Sequence, residues 1–165
     1  MADLYADSAP GGSRWRLGAL IPAVLGLVAA GYLTIEHYTS SSSLACPETG
    51  AINCAKVTTS SYSRIAGVPV ALAGLVYFMV MIGLLTPAAW HSRRLDALRV
   101  AGVALGVVSV FYLVWAELFR INAICLWCTV VHVCTVAMFA GVIWYTMESR
   151  SDDAPAGKPP RPVRR

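Results

Sequence analysis

The stretch INAICLWCTVVHVCTVAMFAGVIWYTM, residues 121–147, carries no Asp, Glu, Lys or Arg at any of its 27 positions. A helix of about 20 apolar residues, rising about 1.5 Å per residue, crosses the roughly 30 Å hydrocarbon core of a bilayer. Three further stretches, of 19, 26 and 17 residues, also lack these charged residues: residues 17–35, 65–90 and 100–116. The pattern predicts four membrane spans.

The composition also indicates a membrane protein. Of the 165 residues, 57% are hydrophobic and only 13% are charged, whereas about 25% of the residues in a typical soluble domain are charged. The alternating pattern of a barrel strand is absent, and lipid offers no hydrogen bonds to an open backbone, so the spans must be helices. We predict an all-α integral membrane four-helix bundle with spans at about 17–38, 65–86, 99–119 and 122–147.

The positively charged residues are distributed unevenly between the two sides of these spans. Ten of the 13 Lys and Arg residues fall on one side, and the other three are Lys56, Arg64 and Arg120. Because basic residues near span ends stay in the cytoplasm, both termini are predicted to be cytoplasmic in a cell inner membrane, with the loop 39–64 on the outer side. We assign the net charge of +4 to topology and contact with anionic lipid rather than to nucleic-acid binding.

A single domain is predicted over residues 14–149, since no internal repeat or second domain is visible. Residues 1–13 and the proline-rich basic tail 150–165 are predicted to be disordered cytoplasmic ends. The first span is longer than the apolar region of a signal peptide and lacks a small-residue cleavage site, so we interpret it as a helix of the mature bundle.

Four of the five cysteines lie on the predicted outer side. Cys46 and Cys54 are eight positions apart in the loop, and Cys125 and Cys128 form a CxxC motif at the start of the last span. Thiols outside the cytoplasm are readily oxidised, so these cysteines are expected to form or exchange disulfides. A helix start favours a thiolate, which makes Cys125 the better nucleophile, while Cys128 lies about 4.5 Å deeper on nearly the same face.

Several motifs occur together between residues 17 and 145. The loop cysteines are followed by KVTTSSY at 56–62 and by GVP at 67–69 before the second span, and the CxxC motif opens the fourth. In this combination the chain resembles a bacterial member of the vitamin K epoxide reductase family. The resemblance implies a four-helix bundle around a quinone pocket, with a disulfide relay from the loop cysteines to the CxxC motif.

The resemblance also implies a role for each cysteine. Cys46 accepts electrons from a partner thiol, and Cys54 attacks or is bonded to Cys125. Cys128 faces the quinone, and Ser60 matches a serine or threonine that supports the relay. Many bacterial relatives carry a fused thioredoxin-like domain and this chain has none, so the expected partner is a separate, secreted DsbA-like protein. The expected electron acceptor is menaquinone or ubiquinone.

Polar and aromatic residues near the CxxC motif are further candidates. His132 lies one helical turn beyond Cys128, where its imidazole can hydrogen-bond a quinone carbonyl or a neighbouring helix. Trp127 can line the same pocket. Glu117 either pairs with Arg120, reaches the interface or protonates the relay.

Three other interpretations remain open for these cysteines. One is reduction of a quinone or of vitamin K epoxide with thiols as the reductant. Here epoxide reduction is disfavoured more than quinone reduction, because His132 replaces a tyrosine of the animal enzymes. Another is a pair of structural disulfides. The third is a zinc site in a non-enzymatic membrane subunit. Cys134, inside the last span, is expected to act only as a packing residue.

Overall fold

Helices make up most of the structure, a computed structural model that describes residues 10–39, 45–46, 49–90 and 92–152. In chain order the elements are α1 (Pro10–Thr39), α2 (Cys54–Thr58), a 3-10 turn (Ser61–Ser63), β1 (Arg64–Ile65), β2 (Val68–Pro69), α3 (Val70–Leu84), α4 (Pro87–Trp90), α5 (Arg93–Trp115), a π-helical segment (Ala116–Ile121) and α6 (Leu126–Asp152).

Among the described residues, three apolar helical stretches are long enough to cross a membrane: Arg14–Thr39, Arg94–Ile121 and Leu126–Glu148. The second of them joins α5 to the π-helical segment. A fourth apolar helix, α3, has only 15 residues, so its length is about 22 Å at 1.5 Å per residue. The prediction of an all-α membrane bundle is confirmed, with one helix shorter than expected.

The short helix α3 replaces the span predicted at 65–86. Ala66 and Gly67 have positive φ values of 51° and 84°, and they reverse the chain so that β1 pairs antiparallel with β2. Helix formation therefore starts only after Pro69. The last predicted span also starts later, at Leu126, because Asn122 adopts a left-handed conformation with φ of 51°.

The helices at the two ends of the chain extend beyond the predicted domain boundaries. Helix α1 begins at Pro10, and α6 continues to Asp152. Extending an existing helix gains one hydrogen bond per added residue, whereas starting a new one is costly. The predictions for residues 1–9 and 153–165 lie outside the described residues.

Helices α1 and α6 run antiparallel along their length. At one end Trp15 stacks on Trp144 with ring centroids 5.3 Å apart, and at the other Tyr32 contacts Trp127 at 4.7 Å. The start of α1 and the end of α6 therefore lie together, at the end of the bundle opposite the CxxC motif.

At that opposite end, the buried side chain of Arg99 links three helices. Its Nε donates to the Leu84 carbonyl at 3.2 Å and its Nη2 to the Ala89 carbonyl at 3.1 Å. Its Nη1 pairs with Asp96 at 2.6 Å, and the guanidinium lies 4.3 Å from the centroid of the Trp90 ring. These contacts satisfy carbonyl groups at the ends of α3 and α4, which have no partner within their own helices.

Two buried clusters form the core. The larger one joins α1, α3, α5 and α6 and includes Cys134, in agreement with a packing role for that residue. The smaller one lies beneath the loop between α1 and α3, and its members are Leu33, Cys54, Val57, Ile121, Ala123 and Cys125. A cysteine of the loop and a cysteine of the CxxC motif thus share one apolar cluster.

Candidate active site

Backbone hydrogen bonds attach the loop to the segment that precedes α6. The Ile124 N–H donates to the Ala51 carbonyl at 2.8 Å, and the Asn53 N–H donates to the Ile124 carbonyl at 3.1 Å. The next residue on each segment is a cysteine, Cys54 on one and Cys125 on the other. Both have no exposed surface, so the pairing of the two segments brings these cysteines together in a site closed to water.

The loop cysteines are joined in a disulfide between Cys46 and Cys54. Cys54 is the first residue of α2, and the side chain of Asn53 caps this helix by accepting the Lys56 N–H at 2.8 Å. An N-cap of this kind satisfies a backbone donor that the helix leaves free. Cys54 is therefore fixed by a helix on one side and a disulfide on the other.

Two aromatic side chains hold the residue before Cys46. Trp127 Nε1 donates to the Ala45 carbonyl at 3.1 Å, and the Ala45 N–H donates to the Tyr32 hydroxyl at 3.1 Å. The rings of Tyr32 and Trp127 also contact each other. Trp127 thus positions the loop cysteine from within the CxxC motif.

The CxxC motif opens α6, with Cys125 in the N-cap position. Its carbonyl accepts the Thr129 N–H at 2.9 Å and its Sγ accepts the Cys128 N–H at 3.2 Å. Both thiols of the motif are free. Cys125 precedes the apolar stretch Leu126–Glu148, and a hydrogen bond with the Cys128 side chain holds its pKa below the usual value, against the opposing effect of burial. This thiol is the one prepared to act as a thiolate.

A carboxyl group lies beside the two thiols. Glu117 belongs to the π-helical segment, is 6% exposed, and accepts a hydrogen bond from the backbone of Cys125. The sequence leaves three roles open for Glu117: pairing with Arg120, reaching the interface or protonating the relay. Arg120 instead donates from Nε to the Tyr62 hydroxyl at 2.7 Å. Segments of π-helix often occur at functional sites, and this one brings an acid to the CxxC motif.

A cavity of about 370 Å³ adjoins the CxxC motif between α1, α3, α5 and α6. Three of the predicted site residues line it: Ser60, Cys128 and His132. The other four are not among its lining residues: Cys46, Cys54, Cys125 and Trp127. The structure therefore separates the predicted residues into a disulfide-exchange group and a cavity group, and Cys128 connects the two.

Most of the cavity wall is apolar, but it includes two predicted polar residues, His132 and Ser60. His132 is 7% exposed on the face of α6 that carries Cys128. Ser60 donates its hydroxyl to the Val57 carbonyl at 2.8 Å, which fixes the turn after α2. Its support of the relay remains a prediction. The outer wall includes the exposed side chains of Val108 and Tyr112, so the cavity reaches the surface of the bundle.

Two tyrosines of the site were not selected from the sequence. Tyr62 joins the 3-10 turn to the π-helical segment through Arg120. Tyr77, in the middle of α3, lines the cavity. The Tyr77 hydroxyl inside an apolar helix is visible in the sequence, but a search for charged residues does not select it. The Tyr62 contact is not visible in the sequence, because its partner is 58 positions away.

The zinc interpretation receives no support from the part of the chain that the structure describes. There, His, Cys, Asp and Glu side chains form no group of three or more that could hold a metal ion. Two of the four thiols that such a site would require are joined in the loop disulfide.

Comparison with known proteins adds one match. The model of the vitamin K epoxide reductase family matches residues 18–143. This range extends from the first turns of α1 into the second half of α6, and it includes both loop cysteines, the CxxC motif and the residues around the cavity. No curated protein matches the chain.

Proposed function

The chain belongs to the vitamin K epoxide reductase family, and we propose that it oxidises a separate dithiol protein and passes the electrons to a membrane quinone. Family membership supports a membrane thiol or quinone oxidoreductase in general. The observation that carries the proposed electron path is the spatial order of the cysteines and the cavity. The loop disulfide, the buried pair of Cys54 and Cys125, and the cavity at Cys128 follow one another.

The first step is exchange with the partner, a DsbA-like protein with a thioredoxin fold. A thiolate of the reduced partner attacks Cys46, because Cys54 is fully buried whereas Cys46 is partly exposed. The second partner thiol then displaces Cys46 from the mixed disulfide. The partner leaves with a disulfide, and Cys46 and Cys54 are left as two thiols.

The second step moves the electron pair inward. The Cys54 thiolate attacks Cys125 of an oxidised CxxC motif, and Cys128 leaves as a thiolate. Cys46 then attacks Cys54, which restores the loop disulfide and releases Cys125. A closed loop disulfide beside two free CxxC thiols is the state expected after this exchange, and it is the bonding present in the structure.

The final step takes place at the cavity. A quinone accepts two electrons and two protons, while Cys125 and Cys128 lose them and form a disulfide. Cys128 faces the cavity. Glu117 lies beside the thiols and His132 lines the cavity, so both are placed to serve in proton transfer. The cavity has the size and the largely apolar wall of a small-molecule site, which suits the headgroup of menaquinone or ubiquinone.

The orientation in the membrane is part of the proposal. The start of α1 and the end of α6 lie together, and the cysteines lie at the opposite end. Arg14, Arg16 and Arg94 are at the end away from the cysteines. Basic residues near span ends stay in the cytoplasm, so this end and both termini are cytoplasmic in the proposed orientation. The disulfide exchange then takes place on the outer side of the inner membrane, where a secreted partner is available.

Trapping the partner tests the proposal. In Cys54→Ser, the remaining Cys46 thiol should form a stable mixed disulfide with a DsbA-like protein whose second active-site cysteine is replaced by serine and whose first is activated as a thionitrobenzoate mixed disulfide. Cys46 displaces thionitrobenzoate, and neither protein then retains a thiol that can resolve the complex. The matched control is Cys46→Ser, in which the remaining cysteine is buried and should give little complex. Non-reducing gels with purified proteins measure both. Equal amounts of complex from the two variants, or none from either, would contradict the proposed partner step.

A further inference from the structure

Tyr77 lines the cavity and, among the described residues, is one of two with a buried polar side-chain atom that has no hydrogen-bond partner. The two atoms are the Tyr77 hydroxyl and one Arg16 nitrogen. An unsatisfied buried polar group costs roughly 1–3 kcal/mol, and lipid around the bundle offers it no water. Such an atom in a cavity wall indicates a ligand that supplies the missing partner.

The position of this hydroxyl is set by two other helices. It lies against Gly106 of α5, close to Thr135 of α6. A Cβ atom added to Gly106 would lie 2.8 Å from Tyr77 Cζ and 2.9 Å from Thr135 Cγ2, and closer still to the Tyr77 oxygen. Only a residue without a side chain leaves room for the tyrosine at this point. The ring of Tyr77 also contacts Phe78 edge-on, with centroids 5.3 Å apart, so its orientation is restricted.

The same cavity extends from this hydroxyl to the reactive thiol. Along α6, His132 and Thr135 are four and seven residues beyond Cys128, which corresponds to about 6 Å and about 10 Å of helix rise. All three residues line the cavity. The Thr135 hydroxyl donates to the Val131 carbonyl at 2.8 Å. The Tyr77 hydroxyl therefore lies near the end of the cavity that is farther from Cys128.

We propose that the Tyr77 hydroxyl donates a hydrogen bond to the quinone carbonyl farther from Cys128 and thereby holds the ring across the cavity. This inference rests on the proposed function. The phenol O–H is the donor to the quinone oxygen, and after reduction the quinol O–H can donate to the phenol oxygen, so the contact persists through the reaction. Tyr77 transfers neither an electron nor a proton in this role. It determines which edge of the ring meets the thiol.

The test compares Tyr77→Phe with the control Tyr145→Phe, which removes a hydroxyl from a tyrosine that does not line the cavity and whose ring packs on Trp90. Without quinone, Tyr77→Phe should have the same Tm as the wild type or a higher one, because the removed hydroxyl has no partner. With a soluble short-chain ubiquinone, its rise in Tm should be smaller than that of the wild type, and its KM for the quinone should increase about tenfold. Tyr145→Phe should match the wild type in both the rise in Tm and the KM.

A spectroscopic measurement separates a hydrogen bond from a general packing effect. The infrared C=O band of the bound, carbonyl-labelled quinone should move to higher frequency in Tyr77→Phe, because a carbonyl that loses a hydrogen bond vibrates at higher frequency. An unchanged band and an unchanged KM, with a wild type that still reduces quinone, would overturn the Tyr77 inference alone. A lower Tm of Tyr77→Phe without quinone would also overturn it. A wild type that neither binds nor reduces quinone would instead refute the proposed function.

Discussion

At the scale of single residues, the two thiols of the CxxC motif have different surroundings. Cys125 is fully buried in the cluster that contains Cys54, and as the N-cap of α6 it lies at the positive end of the helix dipole. Cys128, one turn further, lines the cavity. One thiol is therefore placed for disulfide exchange and the other for contact with a molecule in the membrane.

This division predicts the behaviour of the double variant Cys46→Ser/Cys128→Ser. A thiol oxidant should join the remaining Cys54 and Cys125 in a disulfide, and this bond should persist, because neither Cys46 nor Cys128 is present to displace one of them. Mass spectrometry of peptides from the non-reduced protein should detect this cross-link. The control is Cys134→Ser, which removes a cysteine of the packing core and should keep the Cys46–Cys54 bond. Absence of the cross-link in the oxidised double variant would mean that Cys54 and Cys125 do not react.

At the scale of elements, the loop between α1 and α3 is held to α6 by contacts that leave part of it accessible. Backbone pairing at Ile124 and the 2.7 Å hydrogen bond between Arg120 and Tyr62 anchor its second half. Ala45, in its first half, is held by Trp127 and Tyr32. A partner that attacks Cys46 therefore acts next to a residue that Trp127 and Tyr32 hold in place.

Trp127→Phe tests this attachment, because phenylalanine keeps an aromatic ring beside Tyr32 but lacks the indole N–H. We expect faster hydrogen exchange at the Ala45 amide and a several-fold faster reduction of the loop disulfide by a small dithiol. Trp144→Phe, at the opposite end of the bundle, should have neither effect. Disulfide reduction at the wild-type rate in Trp127→Phe would show that the bond to Ala45 does not restrain the loop.

The contact between α1 and α3 depends on Gly26, which faces the fully buried ring of Phe78. A Cβ atom at Gly26 would lie 2.8 Å from Phe78 Cε2, with other ring atoms nearer. We expect Gly26→Ala to destabilise the bundle by about 1–3 kcal/mol through overpacking. Gly18→Ala is the matched control, since no atom lies within 4 Å of its added Cβ, and it should leave the Tm unchanged or raise it. Thermal unfolding in detergent measures both, and equal Tm values would contradict this packing.

At the scale of the whole molecule, the helices were predictable because the bilayer imposes a strong rule. A chain that crosses lipid must be apolar over a fixed length, and residues 121–147 satisfy this condition without reference to the rest of the chain. The start of α3 was not predictable in this way. Ile65 and Val68 are as apolar as the helix that follows, and the turn depends on the backbone conformation of Ala66 and Gly67.

The candidate site was predictable only in part, because several of its features depend on contacts between residues that are distant in the sequence. The cysteines and His132 are recognisable from residue type, spacing and family resemblance. The burial of Glu117 depends on a π-helical segment, and the position of Trp127 away from the cavity depends on a hydrogen bond to a residue 82 positions earlier. The unpartnered hydroxyl of Tyr77 exists only because Gly106 of another helix leaves it room. Contacts of this kind are properties of the packed bundle.

Quinone reduction in a purified system tests the proposed electron path as a whole. The absorbance of ubiquinone is followed after addition of a reduced DsbA-like protein. We expect one quinone reduced per partner dithiol oxidised, a fall to the background rate in Cys125→Ser and Cys128→Ser, and the wild-type rate in Cys134→Ser. Continued turnover in Cys125→Ser would contradict electron transfer through the CxxC motif.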